Sequence, residues 1–207
     1  MRTQRFRRVR RPADLSGLDL SFPLFIKPNH EGSSIGIRRS SKVHSRAELD
    51  RQVVWTLETY GQDCLVEEFA PGREFCVGIL GNDAPHLLPV AEVKAPGEFY
   101  CYESKSHHRK EVVCPADIPA ETADELRQAG LAMYRALRCR DLARMDFRLD
   151  VAGRASFIEI NPLPGLASAY SIFPVQALAD GIAYDALIGR IIEHAAGRLA
   201  SKQELRS

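Results

Sequence analysis

No stretch of about 18 consecutive apolar residues occurs in this 207-residue chain, so no segment is long and apolar enough to span a membrane as a helix. No apolar core follows the arginine-rich start either, and a secretory signal is not expected. An excess of either charge is missing too. The 28 Lys and Arg balance 27 Asp and Glu to a net charge of +1, which argues against a dedicated nucleic-acid or membrane-surface protein. The five cysteines (Cys64, Cys76, Cys101, Cys114, Cys139) form no C-x-x-C pair, and their odd number argues against a disulfide scaffold or zinc site. Thiols in a reducing cytoplasm are the expected setting. Internal repeats and low-complexity tracts are absent. What remains is ordinary globular composition, 45% hydrophobic and 27% charged, sufficient for one or two compact cores.

Six of the first eleven residues, from Arg2 to Arg11, are arginine. A nucleic-acid arm is one reading. A solvated edge strand, whose charge discourages edge-to-edge pairing, is the other, and it is expected here because no second basic patch supports the arm. Leu24-Phe25-Ile26 leads into Lys27-Pro28, a short strand stopping at proline. The polar, glycine-containing segment His30–Gly36 follows. Ser45-Arg46-Ala47-Glu48 is a capping-box pattern with Leu49, Val53 and Leu57 at helical spacing behind it, and Gly61 stops that helix. Strands are predicted over Cys64–Phe69, Glu74–Leu80 and Leu87–Val93, with Pro71-Gly72 and Gly81-Asn82-Asp83 as turns. Residues 95–109 read as a long polar loop of the kind that closes over a ligand. A second helix spans Ala120 to Leu137 with Leu126, Met133 and Leu137 on its buried stripe. A hairpin then joins Leu142–Asp150 to Ala155–Asn161 through Gly153. The chain ends in a helical pattern marked by Tyr184, Leu187, Ile188, Ile191 and Ile192. The fold class is α+β, antiparallel sheets with helices on their outer faces.

The late hairpin is the most informative stretch. Strand side chains alternate faces, so Arg144, Asp146 and Arg148 share one side of their strand, and Glu159 and Asn161 share one side of the next. Where the two faces coincide, a cation, two carboxylates and a carboxamide converge on hard-oxygen chemistry suited to Mg²⁺. A solvent-facing hairpin with cross-strand ion pairs is the competing reading. The Asn161-Pro-Leu-Pro-Gly165 run, which shapes backbone rather than filling a core, favours the first. Lys27 at a strand end, just before a Gly/Ser segment, offers one cation and several amides to phosphate oxygens, although no Walker A pattern is present. The acidic connection Glu67-Glu68-Phe69-Ala70 reads either as solvated or as a purine hinge. His107 and His108 read as a solvent-exposed pair.

Six segments together resemble one family. They are Phe-Pro-Leu-Phe-Ile-Lys27-Pro, Glu31-Gly-Ser33-Ser34-Ile-Gly36, Val-Glu67-Glu68-Phe69-Ala70-Pro-Gly-Arg-Glu74-Phe, Tyr-Glu-Ser-Lys105, Ala-Arg144-Met-Asp146 and Ile-Glu159-Ile-Asn161-Pro-Leu-Pro-Gly165. Their order and approximate spacing are similar to those of the D-alanine–D-alanine ligases, ATP-grasp enzymes of cell-wall peptidoglycan synthesis, from about Thr3 to Arg198.

The resemblance implies an ATP- and Mg²⁺-dependent ligase (Mn²⁺ being an alternative metal) that joins small amino acids through an acylphosphate. Lys27, Ser33 and Ser34 would meet nucleotide phosphates. Glu67 and Glu68, with the backbone of Phe69 and Ala70, would line the adenine, and Glu74 would hold the ribose. Lys105 would reach the terminal phosphate from the long loop. Asp146, Glu159 and Asn161 match the metal ligands; Arg144 and the backbone near Gly165 match oxyanion-stabilising groups. Tyr170, flanked by Ser168 and Ser171, stands where a serine usually takes the second substrate, and Ser106 replaces an aromatic after the loop lysine. Residues 1–70 would be part of a small ATP-grasp subdomain, 71–200 a large C-terminal one and 201–207 a tail. The family's usual N-terminal domain has no counterpart, so a truncated form is expected, working with an N-terminal-domain partner or as a homodimer. A nucleotide-binding module or subunit without independent ligase activity is the alternative.

Overall fold

The computed structural model describes residues 2–95, 97–99, 101, 111–168 and 170–204, with 200–204 described by backbone alone. The chain divides into two compact units, one of residues 3–71 and 95–111, the other of residues 1–2, 72–94 and 112–207.

The first unit is a four-stranded antiparallel sheet under one helix. Its strands are β1 (Phe6–Val9), β2 (Leu24–Pro28), β3 (Lys42–Val43) and β4 (Cys64–Glu68), in the order β1-β4-β2-β3. Period-two alternation sends Leu24, Ile26, Cys64 and Val66 to one face, where they form a core with Leu49 and Val53 of helix α1 (Arg46–Tyr60). The cap is built as the sequence expects: Ser45 Oγ accepts the Glu48 N–H at 3.3 Å. The Glu48 carboxylate accepts the His44 N–H at 2.7 Å. Gly61, at φ 60°, closes the other end in the left-handed conformation that glycine adopts without steric cost. The arginine run lies on the edge strand β1 and its approach, and it is engaged locally. Arg5 pairs with Asp19 at 2.8 Å, Arg8 with Asp63, and Arg7 Nη1 donates to the Ser16 carbonyl at 3.1 Å.

The second unit contains a six-stranded sheet: β5 (Glu74–Leu80), β6 (His86–Leu87), β7 (Ala91–Lys94), β8 (Glu111–Val113), β9 (Leu142–Leu149) and β10 (Ala155–Asn161), ordered β10-β9-β5-β7-β8 with β6 also on β5. Strand β5 is buried on both faces. Phe75, Val77 and Ile79 meet Leu126 and Tyr134 of helix α2 (Ala120–Ala136). On the opposite face, Cys76 and Leu80 pack against Ile172 and Phe173 of helix α3 (Ile172–Ala179). Helix α4 (Tyr184–Glu204) runs four residues into the segment expected as a tail. Among the described residues no helix is long and apolar enough to cross a membrane.

Several sequence expectations need correction. The strand expected over Leu87–Val93 is two strands, because Pro89 has no N–H to give a ladder; its carbonyl instead accepts from Gln176. Strand β4 stops at Glu68, and the Phe69 N–H donates to the Pro23 carbonyl at 3.0 Å. The buried stripe of α2 is Leu126, Gly130 and Tyr134, with Met133 half-buried against the same core as expected; Leu137 instead caps the helix and is 50% exposed. Ile192 lies on the outer face of α4, 63% exposed. Helix α3 is absent from the sequence reading, since its short, nearly all-apolar run with Pro174 inside carries no periodic signal.

Candidate active site

Strands β9 and β10 bring four of the expected site residues together, and a bulge makes this possible. Phe147 pairs with Phe157, their rings 5.8 Å apart on the core face. Strict alternation from Phe157 would send Glu159 to that same face. The register shifts between Phe157 and Glu159, with Ile158 the extra residue, so Glu159 pairs with Asp146 and Asn161 with Arg144. Directly opposed residues share a face, and the two carboxylates, the guanidinium and the carboxamide therefore stand side by side.

The contacts are close. Arg144 Nε and Nη2 donate to Asp146 Oδ1 and Oδ2, both at 2.7 Å. Asn161 Nδ2 donates to Asp146 Oδ2 at 2.9 Å and to Glu159 Oε1 at 3.0 Å. Burial alone would push the Arg144 guanidinium down, but the hydrogen bonds and charge of Asp146, aided by Glu159, hold it above its ordinary value. Across the ladder, Cys76 pairs with Asp146; burial, and then the Asp146 charge, push its thiol well above the ordinary range and keep it neutral. The cluster thus carries two negative groups against one positive. Asp146 and Glu159 present oxygens to a single atom, which is the chemistry of a hard divalent cation site. Among the described residues no group of three or more His, Cys, Asp or Glu is placed to hold a metal. Mg²⁺ commonly takes only one or two protein carboxylates, the remainder being water and phosphate oxygens, so this donor set suits it.

Two more of the expected residues belong to this unit. Glu74 begins β5 opposite Arg148, whose guanidinium donates to the Gly72 carbonyl at 3.0 and 3.2 Å. Gly165 follows Asn161 by four residues. A side chain there would press on Ser171 Oγ (2.9 Å from a Cβ), and that hydroxyl accepts the Ala167 N–H at 3.1 Å, fixing the loop.

In the first unit, the sheet face opposite α1 carries Lys27 and Glu67, paired at 2.9 Å with side chains 15% and 12% exposed. Glu68 turns away: it accepts the Ser21 N–H at 2.8 Å and Arg5 at 3.4 Å. Phe69 lies on Phe25 (5.9 Å) and Phe99 (6.0 Å), with Lys42 Nζ 4.4 Å over its ring. Ala70 is buried. Ser33 and Ser34 occupy the two central positions of a turn closed by the Ile35 N–H to Gly32 carbonyl bond, both at positive φ (56° and 61°). Two consecutive non-glycine residues in that region are strained, a state found disproportionately in ligand-contacting loops. The preceding residues are held by Gln62, which accepts the His30 N–H at 2.7 Å and donates to Glu31 at 2.8 Å. Gln62, Lys42 and the Ile158 bulge were not singled out from the sequence; only the bulge had a signal, the switch of apolar parity between Phe157 and Ile160. Lys105, His107 and His108 lie outside the described residues.

The family described as D-ala D-ala ligase C-terminus matches residues 11–193. A D-alanine–D-alanine ligase of Acetivibrio thermocellus is 37% identical over 180 residues, covering 86% of this chain and 46% of its own length. Among solved structures, the VanG D-Ala:D-Ser ligase of Enterococcus faecalis superposes with a TM-score of 0.81 at 28% identity, covering 93% of this chain and 57% of that one. The D-alanine–D-alanine ligase of Bacillus anthracis complexed with ATP gives a TM-score of 0.73 at 26% identity, covering 98% of this chain and 62% of that one. The chain spans about half the length of the curated relatives it matches.

Proposed function

Because the chain belongs to the D-alanine–D-alanine ligase family through its C-terminal domain, we propose that it serves an ATP- and Mg²⁺-dependent carboxylate–amine ligation of D-alanine–D-alanine type, in the cytoplasm. The observation that supports this most directly is the bulge-aligned cluster of Arg144, Asp146, Glu159 and Asn161.

In this reading the carboxylate of a first amino acid attacks the γ-phosphorus of ATP, forming an acylphosphate and ADP. The amine of a second amino acid then attacks the acyl carbon, loses a proton and expels inorganic phosphate. Such chemistry needs alignment and neutralised charge far more than covalent help from the protein. Lys27 and the amides of the Ser33-Ser34 turn hold phosphate oxygens. Glu67 and the Phe69–Ala70 backbone receive the base, and Glu74 the ribose, while Glu68 is engaged by the Ser21 N–H and Arg5. Asp146, Glu159 and Asn161 hold the divalent cation, which when bound offsets charge on the transferring phosphoryl group. Arg144 and the backbone at Gly165 bind the oxyanion that develops at the acyl carbon. Lys105, in the loop expected to exclude water, reaches the terminal phosphate. D-Alanine is the first substrate to try.

The test is product analysis after incubation with ATP, Mg²⁺ and D-alanine. With the N-terminal domain of a related ligase supplied, ADP, phosphate and D-alanyl-D-alanine in equal amounts are expected, whereas the chain alone should bind ATP and form little dipeptide. Phosphate release that is indifferent to D-alanine and to every other amino acid supplied would contradict the ligase reading.

A further inference from the structure

The Arg144 fork is already engaged. Its Nε and Nη2 both end on Asp146, at 2.7 Å each, with side chains 15% and 10% exposed. Asp146 Oδ2 also accepts Asn161 Nδ2, so both of its lone-pair positions are used within the cluster. The point at which the two carboxylates converge is held by that same Asn161 amide, whose Nδ2 bridges to Glu159. The guanidinium and the amide together do what a cation would do there: they neutralise and separate Asp146 and Glu159. A divalent cation drawn to these carboxylates meets a guanidinium locked onto one of them, and like charges repel more strongly in a part-buried site than in water.

We propose that Arg144 and a divalent cation compete for Asp146, so that cation binding opens the fork and releases Arg144 to an anionic oxygen of the substrate. The proposal rests on the metal reading above and adds an order to it. Arg144 becomes an anion site only once the cation is in place, and a substrate carboxylate arriving first finds the fork closed.

Two measurements on the full chain test this, both first without nucleotide. The first counts free Mn²⁺ by electron paramagnetic resonance during titration of the unaltered protein, Arg144→Lys and Arg144→Gln. Lysine keeps the charge but cannot form two parallel bonds to a carboxylate. Removing the fork should tighten Mn²⁺ binding in both variants, by about tenfold if one charge-assisted hydrogen bond is the obstacle. Tightening in Arg144→Gln with none in Arg144→Lys would mean that net charge alone matters, and would overturn the competition. The second measurement uses the unaltered protein and does not depend on either variant folding. The ¹⁵N-detected Arg144 Nε–H should be protected from solvent exchange in metal-free protein and lose that protection at saturating Mg²⁺. Unchanged protection with Mg²⁺ bound would overturn the proposal while leaving the metal site intact. Failure of all three proteins to bind Mn²⁺ with ADP added as well as without it would instead overturn the metal reading on which the proposal rests.

Discussion

Each unit sets a cation against a neighbouring carboxylate on a sheet face, and the Lys27–Glu67 and Arg144–Asp146 pairs are reached differently. In the first unit, Lys27 and Glu67 are diagonal neighbours on a regular antiparallel ladder, where β2 pairs Phe25 with Glu67 and Lys27 with Leu65. Plain alternation puts them together. In the second, Arg144 and Asp146 are two apart on one strand, and Glu159 and Asn161 join them only because Ile158 is bulged out of register. The chemistry differs as well. An ammonium on a flexible stem makes one contact and swings away easily, whereas the guanidinium fork is planar and fixed at two points. The lysine pair is therefore suited to meeting phosphate by simple exchange of partners. The arginine pair forms a small network in which no member moves alone.

That contrast is broken first at Glu159. Glu159→Gln keeps the shape and removes one charge from an acidic pair. We expect metal-dependent phosphoryl transfer to fall about a thousandfold, equivalent to several kcal/mol of charge stabilisation. Folding should stay near normal, checked by circular dichroism melts alongside the rate. Unfolding of Glu159→Gln would make the residue part of a structural ion pair and remove the metal assignment.

Next comes Lys27. Lys27→Met should weaken ATP binding about 10- to 100-fold, the worth of a charge-assisted hydrogen bond, and should also destabilise the first unit by leaving Glu67 without its partner. Adding Glu67→Gln should restore stability without restoring affinity. If the double variant recovers ATP binding, Lys27 acts only through Glu67.

A smaller effect separates ion pairs near the site from those that merely hold the fold. Glu92 is bound by both arms of Arg73 at 2.7 Å, and that hydrogen bonding holds its carboxyl below the usual range. A folded-state value below the unfolded one gives stability that is fully present above the ordinary glutamate value of about 4.3 and is lost as pH falls through the folded value. Urea midpoints should therefore drop between pH 6 and pH 3 more steeply in the unaltered protein than in Glu92→Gln. Equal slopes would mean that the pair survives acidification unchanged. Smallest of all, Ser45→Ala should cost about 1 kcal/mol by removing the cap of α1, read from the shift in urea midpoint.

How far the sequence was legible follows the same division. The parts governed by local chemistry read directly: the Ser45 cap, the Gly61 stop, the Leu24–Pro28 strand and both arms of the late hairpin. Alternation also placed Arg144 with Asp146 and Glu159 with Asn161 correctly within each strand. What alternation cannot decide is whether two such faces coincide. That depends on a one-residue shift, whose trace in the sequence is the switch of apolar parity between Phe157 and Ile160, and alternation alone does not say which residue is the extra one. The split at Pro89 is local chemistry that the proline itself announces, whereas the apolar helix α3 escaped because tertiary partners, above all the Gln176 amide bonded to the Cys76 and Pro89 carbonyls, settle it. The Gln62 clamp on His30 and Glu31 joins residues about thirty apart and leaves no trace in any local pattern.

The central claim, that these residues form a nucleotide–metal site, is tested most directly by isothermal titration of the folded protein with ATP. The account predicts that ATP with Mg²⁺ binds more tightly than either alone, because the carboxylates need phosphate oxygens to complete the metal's shell. No detectable heat from ATP in the presence of Mg²⁺, on protein shown to be folded, would contradict it.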